Sequence, residues 1–222
     1  CTAIDLPGHG QSRDTDLQDF DVAADEVAEF IRAHHDGAVT LVGLSLGAYV
    51  GFRCLARHPD LARRAVLSGL QDRPVMMGPA MRLAMRATSA LMSFRALRER
   101  SASDMGFMNL AVASDAHGRP NASIRTMWRA ARCALEFDAR EDLCQVRTPT
   151  LFLAGEKEHP AILNALTAFR DGIPGSEART VQGYGYGWGA EDPALFARAI
   201  TCWRTGTNLP RRLMQPPAIA AA

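Results

Sequence analysis

The chain has few cysteines, and they are scattered. Among its 222 residues the five cysteines show no C-x-x-C spacing; they are Cys1, Cys54, Cys133, Cys144 and Cys202. This scatter argues against a disulfide framework or a zinc site and favours a reducing, cytoplasmic compartment. The sequence therefore predicts neither a structural metal nor a disulfide-stapled secreted domain.

Long apolar runs and an excess of charge of one sign are also missing. No apolar stretch approaches the roughly 20 residues that cross a bilayer, and the formal net charge is +1. A balanced charge gives no electrostatic footprint for nucleic acid or for an anionic membrane. A hydrophobic content of 47% is instead sufficient to bury the core of one α/β unit.

A serine flanked by glycines follows a short apolar run. Residues 43–47 read Gly-Leu-Ser-Leu-Gly, between a β-rich stretch at 39–42 and an apolar helical pattern at 48–57. Strand, G-x-S-x-G and helix are together typical of a nucleophile elbow, which exposes the hydroxyl of Ser45 at a helix N-terminus. There the N–H of Leu46 and the helix dipole would stabilise an oxyanion. The alternative is a glycine-rich turn with an incidental serine.

Strand patterns alternate with helix patterns over most of the chain. This alternation predicts an α/β fold, with a mostly parallel sheet and helices on both faces. The predicted strands are residues 2–6, 39–42, 64–69, 150–155 and 178–181. The predicted helices are residues 21–31, 48–57, 160–171 and 193–204, the last with Pro193 in its first turn.

The sequence changes character between residues 72 and 142, where no convincing strand occurs and methionine is concentrated. We expect a helical cap at 72–142 over a core made of 1–71 and 143–204, followed by a disordered tail at 205–222. The methionines either line an entrance for an acyl chain or fill the cap's own core. They are Met76, Met77, Met81, Met85, Met92, Met105, Met108 and Met127.

A second motif lies upstream of the serine. Residues 5–12 read Asp-Leu-Pro-Gly-His-Gly-Gln-Ser, and with the elbow motif they make the chain resemble the α/β-hydrolase superfamily, in the branch of the pimeloyl-carrier-protein methyl esterases. The resemblance implies a serine hydrolase that acts on a small-molecule acyl substrate and needs no cofactor. His9 lies inside this motif, where the family has a structural turn rather than a catalytic base.

The resemblance also implies a strand and an H-G loop before residue 1, and this loop supplies the family's second oxyanion N–H. That strand would lie between the strands predicted at 2–6 and 39–42. We therefore expect an N-terminally truncated sheet in which two buried strand edges lose their partners. The alternative is a compact variant in which these two strands pair directly.

An acid and then a base should follow the elbow serine along the chain. Residues 155–158 read Gly-Glu-Lys-Glu after a predicted strand. They resemble the family's G-x-x-D turn, which implies Glu158 as the acid. Glu156 is the second candidate, and Asp72, which follows the strand at 64–69, is the third.

The family's histidine is replaced in this sequence. Where the family has G-x-G-H-x-W, residues 183–188 read Gly-Tyr-Gly-Tyr-Gly-Trp. The resemblance thus puts Tyr186 at the histidine position and Trp188 at the pocket wall. A phenol has a pKa of about 10 against about 6.5 for imidazole, so Tyr186 marks the base position without filling the role. His159 is an alternative base.

Two readings of the function follow. The chain is a serine hydrolase with an altered base position, or an inactive relative that binds a ligand or serves as a scaffold. A dinucleotide site is rejected, although residues 185–190 match G-x-G-x-x-A. That motif normally opens a sheet and requires an acidic residue on a following strand.

Overall fold

The fold is built on a five-stranded sheet in which the strands follow one another in chain order. The computed structural model describes residues 1–75 and 122–216. The strands are β1 (Val39–Leu44), β2 (Ala62–Ser68), β3 (Thr150–Gly155), β4 (Glu177–Val181) and β5 (Leu213–Met214). The first four are parallel, and β5 pairs antiparallel with β4.

Helices cover both faces of this sheet. They are α1 (Phe20–His34), α2 (Leu46–Arg57), α3 (Ile124–Glu136), α4 (Pro160–Gly172), α5 (Trp188–Glu191) and α6 (Pro193–Thr205). One apolar cluster joins α1, α2 and α4 to one sheet face, and a second joins α6 to the other. The predicted α/β fold with a mostly parallel sheet is therefore confirmed.

The starts of the helices follow from local sequence. The Asp19 side chain accepts a hydrogen bond from Val22 N at the start of α1, and Asp192 accepts one from Leu195 N at the start of α6. These contacts satisfy amide donors that lack partners in a first helical turn. Pro193 occupies the first turn of α6, as its fixed φ favours.

The strand predicted at residues 2–6 is wrong. This segment forms no strand, and the alternative of direct pairing with β1 is absent too. A groove of about 440 Å³ separates the segment from β1, and the exposed side chains of Ile4 and Val42 line it. The segment is held instead at its far end, where the Asp5 carboxylate accepts a hydrogen bond from Gln11 N. An apolar pattern alone does not make a strand, because the ladder needs a partner within reach.

The disordered tail predicted from residue 205 is wrong for its first part. β5 lies within it and pairs with β4, and Gln182 N donates a hydrogen bond to the carbonyl of Arg212. The side chain of Leu213 is buried in the cluster on the α6 face of the sheet. Pairing and burial together hold this segment, while residues 217–222 lie outside the described residues.

Most of the predicted cap lies outside the described residues, including all its methionines except Met127. Its C-terminal part contains α3, and Val75 N donates to the carbonyl of Leu135 at the end of that helix. An isolated bridge joins His9 to Ala122. The cap over Ser45 stays a prediction. Within residues 1–75 and 122–216, no helix has the length and apolar character to cross a bilayer.

Candidate active site

Ser45 lies in a sharp turn between β1 and α2, with φ 53° and ψ −119°. Among the described residues it is the one non-glycine with positive φ. Such a conformation costs about 1–3 kcal/mol and persists only where its surroundings hold it. A Cβ added to Gly43 would lie 2.3 Å from the carbonyl oxygen of Gly47, so the tight crossing of strand and helix requires glycine there.

The backbone around Ser45 is anchored on the neighbouring strand. Ser45 N donates a hydrogen bond of 2.8 Å to the carbonyl of Ser68, at the end of β2. The Ser45 carbonyl accepts from the amides of Ala48 and Tyr49, which begins the helical ladder of α2. Leu46 is the first residue of α2. Its N–H therefore belongs to the turn that has no acceptor inside the helix and is free to bind an anion.

The structure brings Tyr186 to Ser45. The phenol hydroxyl of Tyr186 lies in hydrogen-bond contact with Oγ of Ser45, across 141 residues of sequence. Gly69 makes room for the ring, because a Cβ at this position would lie 3.2 Å from Cε2 of Tyr186. Gly69 also has φ 78°, a conformation that disfavours any other residue.

Burial raises the pKa of Tyr186 above its ordinary value. The hydrogen bond with Ser45 lowers this pKa, and the nearby charge of Glu158 raises it further. A phenol whose pKa lies above about 10 keeps its proton at neutral pH. At neutral pH the Tyr186 phenol therefore keeps its proton, and either hydroxyl can be the donor in the contact with Ser45.

Glu158 follows β3 and is also buried, with 6% of its surface exposed. Its Oε1 accepts a 2.7 Å hydrogen bond from Gly155 N, whereas its buried Oε2 has no partner among the described residues. Burial raises the pKa of the Glu158 carboxyl to about 7. The charge of Glu158 also raises the pKa of Tyr49, which places the carboxyl in the same buried region.

The other candidates are engaged elsewhere. Glu156 accepts a hydrogen bond from Gly183 N, and the exposed His159 accepts one from Ala161 N at the start of α4. Asp72 is buried and pairs with Arg73. The ring of His9 contacts the carbonyl of Pro7, which agrees with a turn role.

Trp188 lies beneath the site rather than on its surface. The indole is fully buried, and its Nε1 donates a 2.9 Å hydrogen bond to Oγ of the buried Ser68. The sequence motifs do not single out Ser68 and Gly69. A serine and a glycine that interrupt the apolar run at the end of a predicted strand were the available signal.

The loop that carries Tyr186 is fixed to the turn after β3. Lys157 N donates to the carbonyl of Tyr184, and the carboxylate of Glu156 accepts from Gly183 N. Within the described residues no cluster of three metal-ligating side chains occurs. The arrangement thus offers a strained serine, a protonated phenol, a buried carboxyl and the N-terminus of α2, all after the C-terminal ends of parallel strands.

The amino-acid sequence of the chain is similar to those of known proteins. The model of the alpha/beta hydrolase family matches residues 1–199. The AB hydrolase superfamily protein YisY of Bacillus subtilis is 27% identical over 205 residues, which cover 83% of this chain and 73% of that protein. A pimeloyl-[acyl-carrier protein] methyl ester esterase of Neisseria meningitidis serogroup B is 40% identical over 67 residues, or 30% of this chain and 24% of that protein.

Solved structures are similar as well. An esterase from Exiguobacterium antarcticum superimposes with a TM-score of 0.73. The match covers 90% of this chain and 80% of that one at 19% sequence identity. At this identity the likeness shows the fold alone.

Proposed function

Because the chain belongs to the α/β-hydrolase family, we propose that it is a serine-dependent hydrolase of a carboxylic ester, thioester or amide with a modest acyl group. One observation carries the proposal: Ser45 is held at positive φ in a strand-to-helix turn, with its hydroxyl against that of Tyr186. A nucleophile elbow has such a strained strand-to-helix turn, because the turn exposes the serine hydroxyl to substrate. The methyl ester esterase to which part of the chain is similar supports the same class of reaction.

In the proposed reaction, Oγ of Ser45 attacks the acyl carbon and the carbonyl oxygen becomes an oxyanion. The N–H of Leu46 donates to this oxyanion, and the positive end of the α2 dipole stabilises it. The bond to the leaving group then breaks, the leaving group takes up through solvent the proton that Oγ has lost, and the acyl group stays on Oγ. Attack by water releases the acid and restores the serine.

Tyr186 limits the first step. Since the pKa of its phenol is raised, the phenol keeps its own proton. It therefore does not act as the base that accepts the proton of Ser45. Loss of the histidine from a comparable triad costs on the order of 10⁶ in turnover. Glu158 would still orient a histidine at position 186, and we propose it as the acid. We assign Trp188 the role of supporting the site from beneath.

A protein that binds an acyl ligand without hydrolysing it is the second candidate. The specific observation in its favour is the contact between the protonated Tyr186 and Ser45, which occupies the serine hydroxyl. Both candidates take a small-molecule ligand. For both we propose a cap at residues 72–142 over Ser45 and, from the scattered cysteines, a cytoplasmic location.

Turnover of a short-chain nitrophenyl ester separates the two candidates. The proteins compared are the native chain, Ser45→Ala, Tyr186→His, Tyr186→Phe and the double variant Tyr186→His with Ser45→Ala. We expect Tyr186→His to hydrolyse the ester several orders of magnitude faster than the native chain, because imidazole accepts the serine proton. Tyr186→Phe keeps the ring without a base and should stay slow.

Each contrary result has a defined meaning. Removal of Ser45 should abolish the gained activity; activity that survives it would come from elsewhere. If Tyr186→His folds but stays at the background rate, the binding protein is the better reading. If the native chain is already fast and Ser45→Ala abolishes its activity, Tyr186 does not disable the site.

A further inference from the structure

A second pocket, of about 550 Å³, lies at the opposite end of the sheet from Ser45. Ser45 follows the C-terminal end of β1, whereas this pocket reaches the first residues of β2 and β4 through Arg64 and Glu177. The end of α6 and the chain at 206–213 complete its wall. A volume of this size lies within the usual range of about 300–1,000 Å³ for sites that hold small molecules.

The pocket interrupts an otherwise apolar face of the sheet. Side chains two residues apart on a strand point to the same face. Val66 of β2 and Val181 of β4 pack in the apolar cluster beneath α6. Arg64 and Arg179 therefore continue these two rows, and both line the pocket.

The charges on the pocket wall do not balance among the described residues. Glu177 forms an ion pair with Arg179. Arg64 and Arg211 also line the pocket, and neither has a carboxylate partner within residues 1–75 and 122–216. Three guanidinium groups thus face one carboxylate. A partly buried charge without a counter-charge is unfavourable, and an anion in the pocket would relieve it.

Arg64 is preorganised. Its guanidinium is half-buried and stacks on the ring of Trp203, 5.1 Å from the ring centroid. Stacking occupies a face of the guanidinium and leaves the N–H groups at its edge to bind a planar or tetrahedral oxyanion.

Among the described residues, no hydrogen bond joins the Arg64 side chain to the end of α6. The carbonyls of Cys202 and Trp203 already accept hydrogen bonds from Thr207 N and Gly206 N.

We propose that this pocket binds a small organic anion through its carboxylate or phosphate group, with Arg64 and Arg211 as the positively charged contacts. The site is separate from Ser45 and does not depend on the reaction proposed there. Arg179 is committed to Glu177 and helps to shape the pocket. Charge-assisted hydrogen bonds to Arg64 would favour binding. The bound anion would also supply the counter-charge that Arg64 lacks among the described residues.

Isothermal titration of the 222-residue protein with two probes tests the proposal, at constant ionic strength set with sodium chloride. Citrate supplies carboxylates and inorganic phosphate supplies a phosphate group, so the two arms show which group the pocket prefers. We expect saturable binding of at least one probe at millimolar concentration or below. Arg64→Gln should weaken it by at least tenfold, and Arg211→Gln should weaken it less because Arg211 is exposed.

Arg63→Gln is the matched control. Arg63 is the neighbouring residue on β2, is exposed, and does not line the pocket. The loss of one positive charge is the same, so a general charge effect would weaken binding equally in both variants. Equal weakening, or no saturable binding of either probe to the native chain, would overturn the proposal. Circular dichroism checks that Arg64→Gln folds, and a folded Arg64→Gln that binds both probes like the native chain would overturn it too.

Discussion

The indole N–H of Trp188 donates a 2.9 Å hydrogen bond to Oγ of Ser68, and both side chains are fully buried. Ser68 also accepts the N–H of Ser45 through its carbonyl. Trp188 follows Tyr186 by two residues. One serine thus connects the turn at Ser45 to the segment that follows Tyr186, and we expect this connection to restrain the distance between the two hydroxyls.

Loss of this connection should affect stability and geometry together. We expect Trp188→Phe to lower the free energy of unfolding by about 1–3 kcal/mol, because Ser68 loses a buried partner and the smaller ring leaves space. When combined with Tyr186→His, it should lower kcat for the nitrophenyl ester more than it changes KM. Urea unfolding and steady-state kinetics measure the two effects.

Thr148→Val is the control for a buried hydrogen bond far from the site. The hydroxyl of Thr148 donates to the carbonyl of Ala62 and is buried. Its loss should reduce stability to a similar degree with kcat unchanged. If both variants lower kcat equally, the Trp188–Ser68 contact has only a structural role. A crystal structure of Trp188→Phe with Tyr186 still against Ser45 would lead to the same conclusion.

Gly69→Ala should destabilise the protein more than Gly183→Ala. Both glycines have positive φ, 78° and 83°, so both substitutions introduce the same backbone strain. A Cβ at Gly69 would also lie 3.2 Å from the Tyr186 ring, whereas a Cβ at Gly183 would have nothing within 4 Å. Urea unfolding of the two variants isolates the contact with the ring. Equal losses of stability would show that Tyr186 moves aside without cost.

Glu158 should make stability depend on pH. Its pKa is raised from 4.5 to about 7 in the folded protein, so between these values the folded chain holds more protons than the unfolded chain. The free energy of unfolding therefore falls as pH rises through this window. The loss amounts to at most about 3 kcal/mol and is complete above pH 7.

Glu158→Gln should remove this part of the pH dependence, because the amide stays neutral. The measurement is the free energy of urea unfolding at several pH values between 4 and 8. Glu156→Gln is the control: Glu156 follows the same strand, and its amide oxygen can still accept the hydrogen bond from Gly183 N. A Glu158→Gln profile that runs parallel to the native profile would mean that the Glu158 carboxyl is not buried in solution.

The sequence by itself determined those elements whose residues are adjacent in the chain. The turn at Ser45 was predictable because the residues that form the strand, the glycine turn and the helix are adjacent in the chain. The same holds for α6, whose start is set by Asp192 and Pro193. The alternation of strand and helix patterns was sufficient for the parallel sheet.

Only the tertiary structure decided which distant residues meet. The motif around Tyr186 puts this residue at the family's base position, but only the folded chain brings its hydroxyl against Ser45 and joins the two segments through Ser68. Strand pairing is equally non-local: residues 2–6 have a strand pattern and no partner, whereas β5 has two residues and pairs with β4. A sequence pattern indicates the conformation that a segment favours. A hydrogen-bond ladder or a buried contact also requires a second segment in place.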